Sequence, residues 1–199
     1  MFKFGGKLNK NIESLVNFLP KNGNVLDLGC GLGANSFFLS EKGFNVTCVD
    51  KDENAIYNIK KKFPNIKAVK SDIVNFDYQK DKYELVLILN VLHFFNFQQA
   101  KQIIDNTIIS LKKGGLIYLQ VFSTNDPAFK KTNKNLLTEE KNTFFKKETN
   151  SFMHFFEKEE LVKIFSQCDI LEVEEFFKKD NHPPQGEHEH YLIRMLVRK

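Results

Sequence analysis

Val25-Leu26-Asp27-Leu28-Gly29-Cys30-Gly31-Leu32-Gly33 is the stretch on which the fold turns. Val25 to Leu28 is a short apolar run, the length of a buried strand. Three glycines at alternate positions, 29, 31 and 33, follow it directly. Glycine alone turns a backbone this tightly at no steric cost and lets a ligand approach it closely. Residues 35–42 then read as a helix, stopped by Gly43. Strand, glycine loop and helix in that order open an α/β fold.

The alternation continues outward from this stretch. Upstream, Leu8, Ile12, Leu15, Val16 and Leu19 recur at helical spacing up to Pro20. Downstream, residues 46–49 read as strand two, and Asp52 caps a helix carrying Ala55, Ile56, Ile59 and Phe63 on one face. Residues 66–69 read as strand three. Residues 83–89 read as strand four, apolar enough to be buried on both faces. Phe97, Ala100, Ile103, Ile104, Ile108 and Leu111 form a helical stripe that the Gly114-Gly115 pair is expected to stop, with strand five over 116–122. Residues 123–156 are polar and rich in Lys and Asn, with Phe interspersed, and so are expected to form a connector with few core contacts that acts as a lid. A short helix over 157–165 and two strands, 170–177 and 190–197, complete the pattern. The turn between those strands holds Pro183, Pro184 and Gly186, and a hairpin joins antiparallel strands. The series predicts one domain over residues 1–199, a doubly wound, mainly parallel α/β sheet whose ligands bind beyond the carboxyl ends of its strands.

Composition narrows the function without naming it. The chain has 199 residues, 42% hydrophobic and 27% charged, as a globular domain with a substantial core does. The net charge of +4 comes from lysines in short runs, such as 60–62 and 112–113, with acids between them. Such scattering favours a solvated surface over a nucleic-acid patch. Cys30, Cys48 and Cys168 form no C-x-x-C pair, and their odd number speaks against a disulfide framework. No apolar run reaches the roughly 18 residues of a membrane span, and the first residues lack the apolar core of a signal peptide. A cytoplasmic protein without a membrane partner is the expectation.

The chemistry-bearing residues sit at strand ends. Asp27 precedes the glycine loop, where a carboxylate can face a ligand's ammonium directly or through water. Asp50 ends strand two, where a carboxylate can accept both hydroxyls of a ribose. Asp72 follows strand three, within reach of an adenine amino group. Asn90 ends strand four and is expected to face the same crevice. Each acid alone is more commonly a cap or a turn residue. A glycine loop with three acids at successive strand ends points to a nucleoside-bearing ligand. A nicotinamide dinucleotide competes, since Gly29, Gly31 and Ala34 satisfy a relaxed G-x-G-x-x-A spelling. Asp27 would then place negative charge near a pyrophosphate, which favours helix-terminal N–H groups, and the closing hairpin suits no second mononucleotide-binding half.

The D-x-G-x-G-x-G loop, the positions of Asp50 and Asp72, and the closing hairpin resemble the class I S-adenosylmethionine-dependent methyltransferases. The match covers residues 24–122 well and the terminal hairpin in outline. The resemblance implies a seven-stranded sheet with the last strand antiparallel and inserted beside strand five. It also implies that Asp27 and the glycine loop (Gly29, Cys30, Gly31 and Gly33) hold the methionine part of the cofactor, Asp50 the ribose, and Asp72 with Ile73 the adenine, with Lys51 and Asn90 also counted as cofactor-binding. Asn35-Ser-Phe-Phe-Leu39 and the short lead-in resemble the small tellurite-resistance-type methyltransferases. The Asn/Asp-Pro-Pro-Tyr/Phe signature of amino-methylating nucleic-acid enzymes is replaced by Asn90-Val-Leu-His-Phe-Phe95. The expectation is in-line methyl transfer to a small molecule, with a nucleic-acid or protein methyltransferase and a non-catalytic S-adenosylmethionine-binding module as open alternatives.

The histidines are the candidates for acceptor chemistry. A soft nucleophile needs little base, whereas an N–H or O–H acceptor is served by one, usually histidine. His93, following strand four, is the first candidate base, against a packed residue among Phe94 and Phe95. His154, flanked by aromatics, reads as packed. His182, His188 and His190 fall around the terminal turn, which is expected on the cofactor edge of the sheet. His188 and His190 alternate and so share a side of an extended segment. With His182, and with Glu187 or Asp180, they could hold zinc or a similar divalent ion, contact the acceptor without metal, or form a solvated hairpin only.

Overall fold

The computed structural model describes residues 11–132, 134–182 and 186–199, the side chains of 135 and 180–182 excepted. The elements are α1 (Ile12–Leu15), β1 (Asn24–Leu28), α2 (Ala34–Glu41), β2 (Asn45–Asp50), α3 (Glu53–Lys62), β3 (Lys67–Lys70), β4 (Tyr83–Leu89), α4 (Phe97–Ser110), β5 (Leu111–Phe122), α5 (Pro127–Lys131), β6 (Thr143–Lys146), β7 (Ser151–His154), α6 (Lys158–Ile164), β8 (Asp169–His182) and β9 (Gly186–Arg198). Seven strands form one sheet in the order β3-β2-β1-β4-β5-β9-β8, and β6 and β7 form a separate pair. β1 pairs in parallel with β2 and β4, and β2 with β3. β8 and β9 are antiparallel, so the last strand lies beside β5, as the resemblance implied. Among the described residues no helix is long and apolar enough to cross a membrane.

The chain divides into two compact units, Met1–Ile88 with Asp105–Ile117 and Lys199, and Leu89–Ile104 with Tyr118–Arg198. In the first, Val25, Leu26, Leu28 and Leu85 to Ile88 are buried, as expected of strands covered on both faces. Asp52 caps α3 by accepting from the N–H groups of Asn54 and Ala55, and Ala55, Ile56 and Ile59 form the buried stripe. Gly114-Gly115 does not act as a helix stop: α4 ends at Ser110 and β5 runs through the pair. At Gly115 a Cβ would lie 3.0 Å from the Tyr83 carbonyl oxygen and 2.9 Å from that of Lys112, so two backbones pass at a distance only glycine allows. The Gly114 N–H donates to Lys199 O and the Lys199 N–H to Gly115 O, which carries the strand back to Leu111.

The second unit departs most from expectation. Residues 123–156 are not poor in core contacts. β6 and β7 form an antiparallel hairpin, Thr143 opposite His154 and Lys146 opposite Ser151. The rings of Phe129, Phe144 and Phe155 meet edge-on at centroid separations of 5.2–6.0 Å, and Phe144, Phe155 and Phe156 are buried. Widely spaced phenylalanines in polar surroundings make no periodic signal, yet three such rings suffice for a small core. The terminal hairpin is also longer than expected. β8 and β9 pair from Asp169–Arg198 out to His182–Gly186, so His182, His188 and His190 lie on its arms, not in its turn. Opposite charges across the arms help to carry the ladder outward, with Lys179 Nζ 3.8 Å from a Glu189 carboxylate oxygen.

Candidate active site

The glycine loop is built by backbone conformations that side chains disfavour. Gly29, Gly31 and Gly33 have φ of 67°, 52° and 78°. The Gly29 and Cys30 N–H groups both donate to Val49 O, at 2.8 and 3.1 Å, which ties the loop to the end of β2. Gly33 caps α2, and a Cβ there would meet Ile59 Cδ1 at 2.9 Å, so glycine sets the close packing of α2 and α3. At Gly31 a Cβ would meet nothing within 4 Å: the loop crest borders open space.

The acids stand around this loop. Asp27 is buried, and Ser36 donates to its Oδ2 at 2.6 Å. Burial pushes its carboxyl up to about 6; the Ser36 hydrogen bond opposes this and the charge of Asp50 adds to it. Asp50 accepts from the Gly31 N–H through Oδ2 at 2.8 Å and from the Asp52 N–H through Oδ1 at 2.9 Å. It therefore shapes the loop as well as presenting acceptors, because each carboxylate oxygen keeps a second acceptor site. Lys51 is exposed beside it. Asp72 is exposed and closes a turn, Oδ1 accepting from the Val74 N–H at 3.0 Å, and the next residue, Ile73, is buried. The Cys30 thiol is held well above its ordinary range, first by hydrogen bonding with Cys48 and then by burial, so it is no nucleophile at neutral pH. This set fits S-adenosylmethionine: an open glycine crest, a buried carboxylate for an ammonium, and carboxylate oxygens with sites to spare for hydroxyls.

The second unit holds the remaining candidates. Asn90 takes φ +58° at the end of β4, its N–H donates to Gln120 O, and its Oδ1 accepts from Gln120 Nε2 at 2.9 Å. His93 is buried, its ring centroid 3.9 Å from that of Phe122 in a stacked arrangement, and its Nδ1 has no hydrogen-bond partner among the described residues. Burial, aided by the charge of His190, pushes it down to about 3. Buried and stacked, the ring is held in its neutral form. His154 is also packed: its Nδ1 meets Thr143 Oγ1 at 2.7 Å and its Nε2 meets Glu160 at 3.1 Å. Among the described residues the metal set is not assembled. His188 and His190 do share a side, their ring centroids 4.8 Å apart, but Nδ1 of His188 lies 2.8 Å from Gly186 O and Nδ1 of His190 lies 3.0 Å from Asp126 Oδ2. Among the described residues no three His, Cys, Asp or Glu side chains are placed to hold an ion; the His182 side chain lies outside them. The sequence does not single out Asp126, the partner of His190. Its sequence signal, Asp followed by Pro, was that of a helix cap, and α5 does begin at Pro127.

Comparison with known proteins agrees with this geometry. The family model described as "Tellurite resistance protein TehB" matches residues 8–133. A Haemophilus influenzae protein named "Probable S-adenosyl-L-methionine-dependent methyltransferase TehB" is 35% identical over 107 residues, 51% of this chain and 37% of its own length, so the chain matches well under half of that relative. The crystal structure of a SAM-dependent methyltransferase from Methanosarcina mazei superposes with a TM-score of 0.73 at 21% identity, covering 94% of this chain and 96% of that one. A Burkholderia thailandensis 1,6-didemethyltoxoflavin-N1-methyltransferase, with 1,6-didemethyltoxoflavin and S-adenosylhomocysteine bound, superposes with a TM-score of 0.65 at 18% identity over 94% and 75% of the two chains. These likenesses confirm the methyltransferase-type fold, and the family model, which spans more than half of the sequence, makes this chain a member of the TehB family.

Proposed function

We propose that the protein catalyses S-adenosylmethionine-dependent methyl transfer to a small-molecule acceptor. The observation that carries this reading is Asp27. A buried carboxylate at the root of an open glycine loop, with Ser36 as its side-chain donor and no cationic partner among the described residues, is costly unless a ligand completes it. An ammonium-bearing ligand does so. Asp27 and Gly29 to Gly33 would hold the amino-acid part, Asp50 the ribose hydroxyls, and Asp72 with Ile73 the adenine. When bound, the cofactor supplies a methyl group on a cationic sulfur. The protein's own task is then to hold the acceptor in line and keep water out, and positioning of that kind lowers a barrier by about 7–11 kcal/mol. The lid reading of residues 123–156 stays part of this proposal, since their aromatic rings are suited to excluding water.

A small acceptor is supported by the Burkholderia neighbour, whose named substrate is a small heterocycle. Calorimetry with S-adenosylmethionine, S-adenosylhomocysteine and NAD tests the cofactor, and an acceptor panel read out as S-adenosylhomocysteine tests the reaction. Binding of NAD in preference to S-adenosylmethionine refutes the first. Cofactor binding without product from any small acceptor, but with product from RNA or protein, refutes the second.

A further inference from the structure

β8 is the outermost strand of the seven-stranded sheet, and among the described residues only β9 pairs with it. A strand in that place presents a row of backbone N–H and C=O groups to any chain able to pair with them. The opposite edge is blunted: β3 has four residues, with a lysine at each end. β8 has 14 residues, and its ladder with β9 is regular past a single shift between Ile170 and Glu172. From Glu172 to Phe177 it carries no Pro, Gly or Lys, the residues that discourage edge pairing.

The same edge leaves aromatic rings in water and splits its charge around them. Phe177 is 43% exposed and Tyr191, its cross-strand partner, 37%, with ring centroids 5.4 Å apart. Glu172, Glu174 and Glu175 precede that point, and Lys178 and Lys179 follow it. A strand with acids in one half and bases in the other is complementary to its own reversed copy. Glu175, Phe177 and Lys179 alternate and so share one face. The two bonds that Glu175 accepts, from Ser123 and Asn125, both use Oε1. Lys179 Nζ comes no closer to Glu189 than 3.8 Å, which leaves its ammonium donors to spare.

We propose that β8 is a homodimer interface, pairing antiparallel with β8 of a second copy about a two-fold axis at Phe177. The inference goes beyond the methyl-transfer reading and does not depend on it. In such an isologous pair, directly opposed residues lie on the same face, and the residue on the axis faces its own counterpart. Phe177 then meets Phe177, which joins two Phe177–Tyr191 pairs into one apolar patch. Glu175 faces Lys179, and by symmetry Lys179 faces Glu175, so two opposite-charge pairs flank the rings. On the other face the same register sets Glu174 against Asp180, where Glu174 is already bonded to Arg194.

Charge reversal tests this on the full chain. Sedimentation velocity should show a reversible wild-type dimer, and hydrogen exchange over residues 172–179 should slow as concentration rises. Lys179→Glu sets like charges together twice, and so does Glu175→Lys; each should weaken the dimer by about 10–100-fold. Mixed one to one, the two variants should recover the wild-type dimer constant within about threefold, because both contacts are again between Glu and Lys. Phe177→Glu, at an exposed position, places two carboxylates on the axis and should weaken the dimer as strongly. It carries the test should Glu175→Lys, which loses the Ser123 and Asn125 bonds, fail to fold. A wild type that stays monomeric at every concentration overturns the proposal, whether the edge is open or is covered by another protein. So does a dimer that survives Lys179→Glu and Phe177→Glu, a dimer without slowed exchange in β8, or a pair of folded reversal variants that stay monomeric when mixed.

Discussion

The pH dependence of cofactor binding offers a direct test of the role given to Asp27. In the free protein burial holds this carboxyl up at about 6, against an ordinary 3.8. An acid whose folded value is raised binds more protons folded than unfolded between those two values. Folding stability therefore falls as pH rises from about 4 to about 6, and by neutral pH the cost is about 3 kcal/mol. A ligand ammonium beside Asp27 reverses the balance, because the complex then favours the ionised form. Binding below pH 6 must expel a proton. At pH 5 about one Asp27 in ten is ionised, so affinity for S-adenosylhomocysteine should be about tenfold weaker than at pH 8, or about 1.4 kcal/mol. Calorimetry in two buffers of different ionisation enthalpy should report release of about 0.9 proton per site at pH 5 and almost none at pH 8. Asp27→Asn keeps an acceptor for the Ser36 hydroxyl. It should raise thermal stability at pH 7, weaken binding at pH 8 and flatten the pH dependence of both. An affinity constant from pH 5 to 8 with no proton exchange refutes the assignment, as does an Asn variant that binds as the wild type does.

Other outcomes follow from the same loop and from the second unit. Asp50→Ala should weaken S-adenosylmethionine binding by about 1.5–3 kcal/mol in calorimetry, the scale of hydrogen bonds to a charged group, and should loosen the Gly31 N–H to hydrogen exchange because that donor loses its acceptor. Gly33→Ala places a Cβ at φ +78°, 2.9 Å from Ile59 Cδ1. It should cost about 1–2 kcal/mol from the left-handed backbone alone, with more from the overlap, measured by urea denaturation. Phe155→Ala removes the ring shared by Phe129 and Phe144 and should cost about 3–5 kcal/mol if the hairpin packs as described; a loss under 1 kcal/mol refutes that packing.

The division between what the sequence disclosed and what it hid has a physical basis. β1 to β4, α3 and the glycine loop were legible because each is specified locally: apolar runs of strand length, Asp52 before a 3.6-residue stripe, glycines where φ is positive. The acids at strand ends were legible because their places are fixed by the same short elements. Local signals mislead where a long-range partner decides the structure. Gly114-Gly115 reads as a helix stop, but the approach of the Tyr83 carbonyl and the pairing with Lys199 make it part of β5. The arms of β8 and β9 continue through a polar stretch because each supplies the other's hydrogen bonds and countercharges. Asp126 is the sharpest case. Locally it is a cap before Pro127, and the cap bond to Ala128 is indeed made with one oxygen. The other oxygen reaches 64 residues ahead to His190. A residue that satisfies a local rule with one atom leaves nothing in the sequence to mark what the second atom does. His93 is the converse: it stands where a base was wanted, and the stacking of Phe122 on it, invisible in the sequence, makes it part of the packing. The partner of His190 is therefore set by a contact across sequence distance, and not by nearness to a motif.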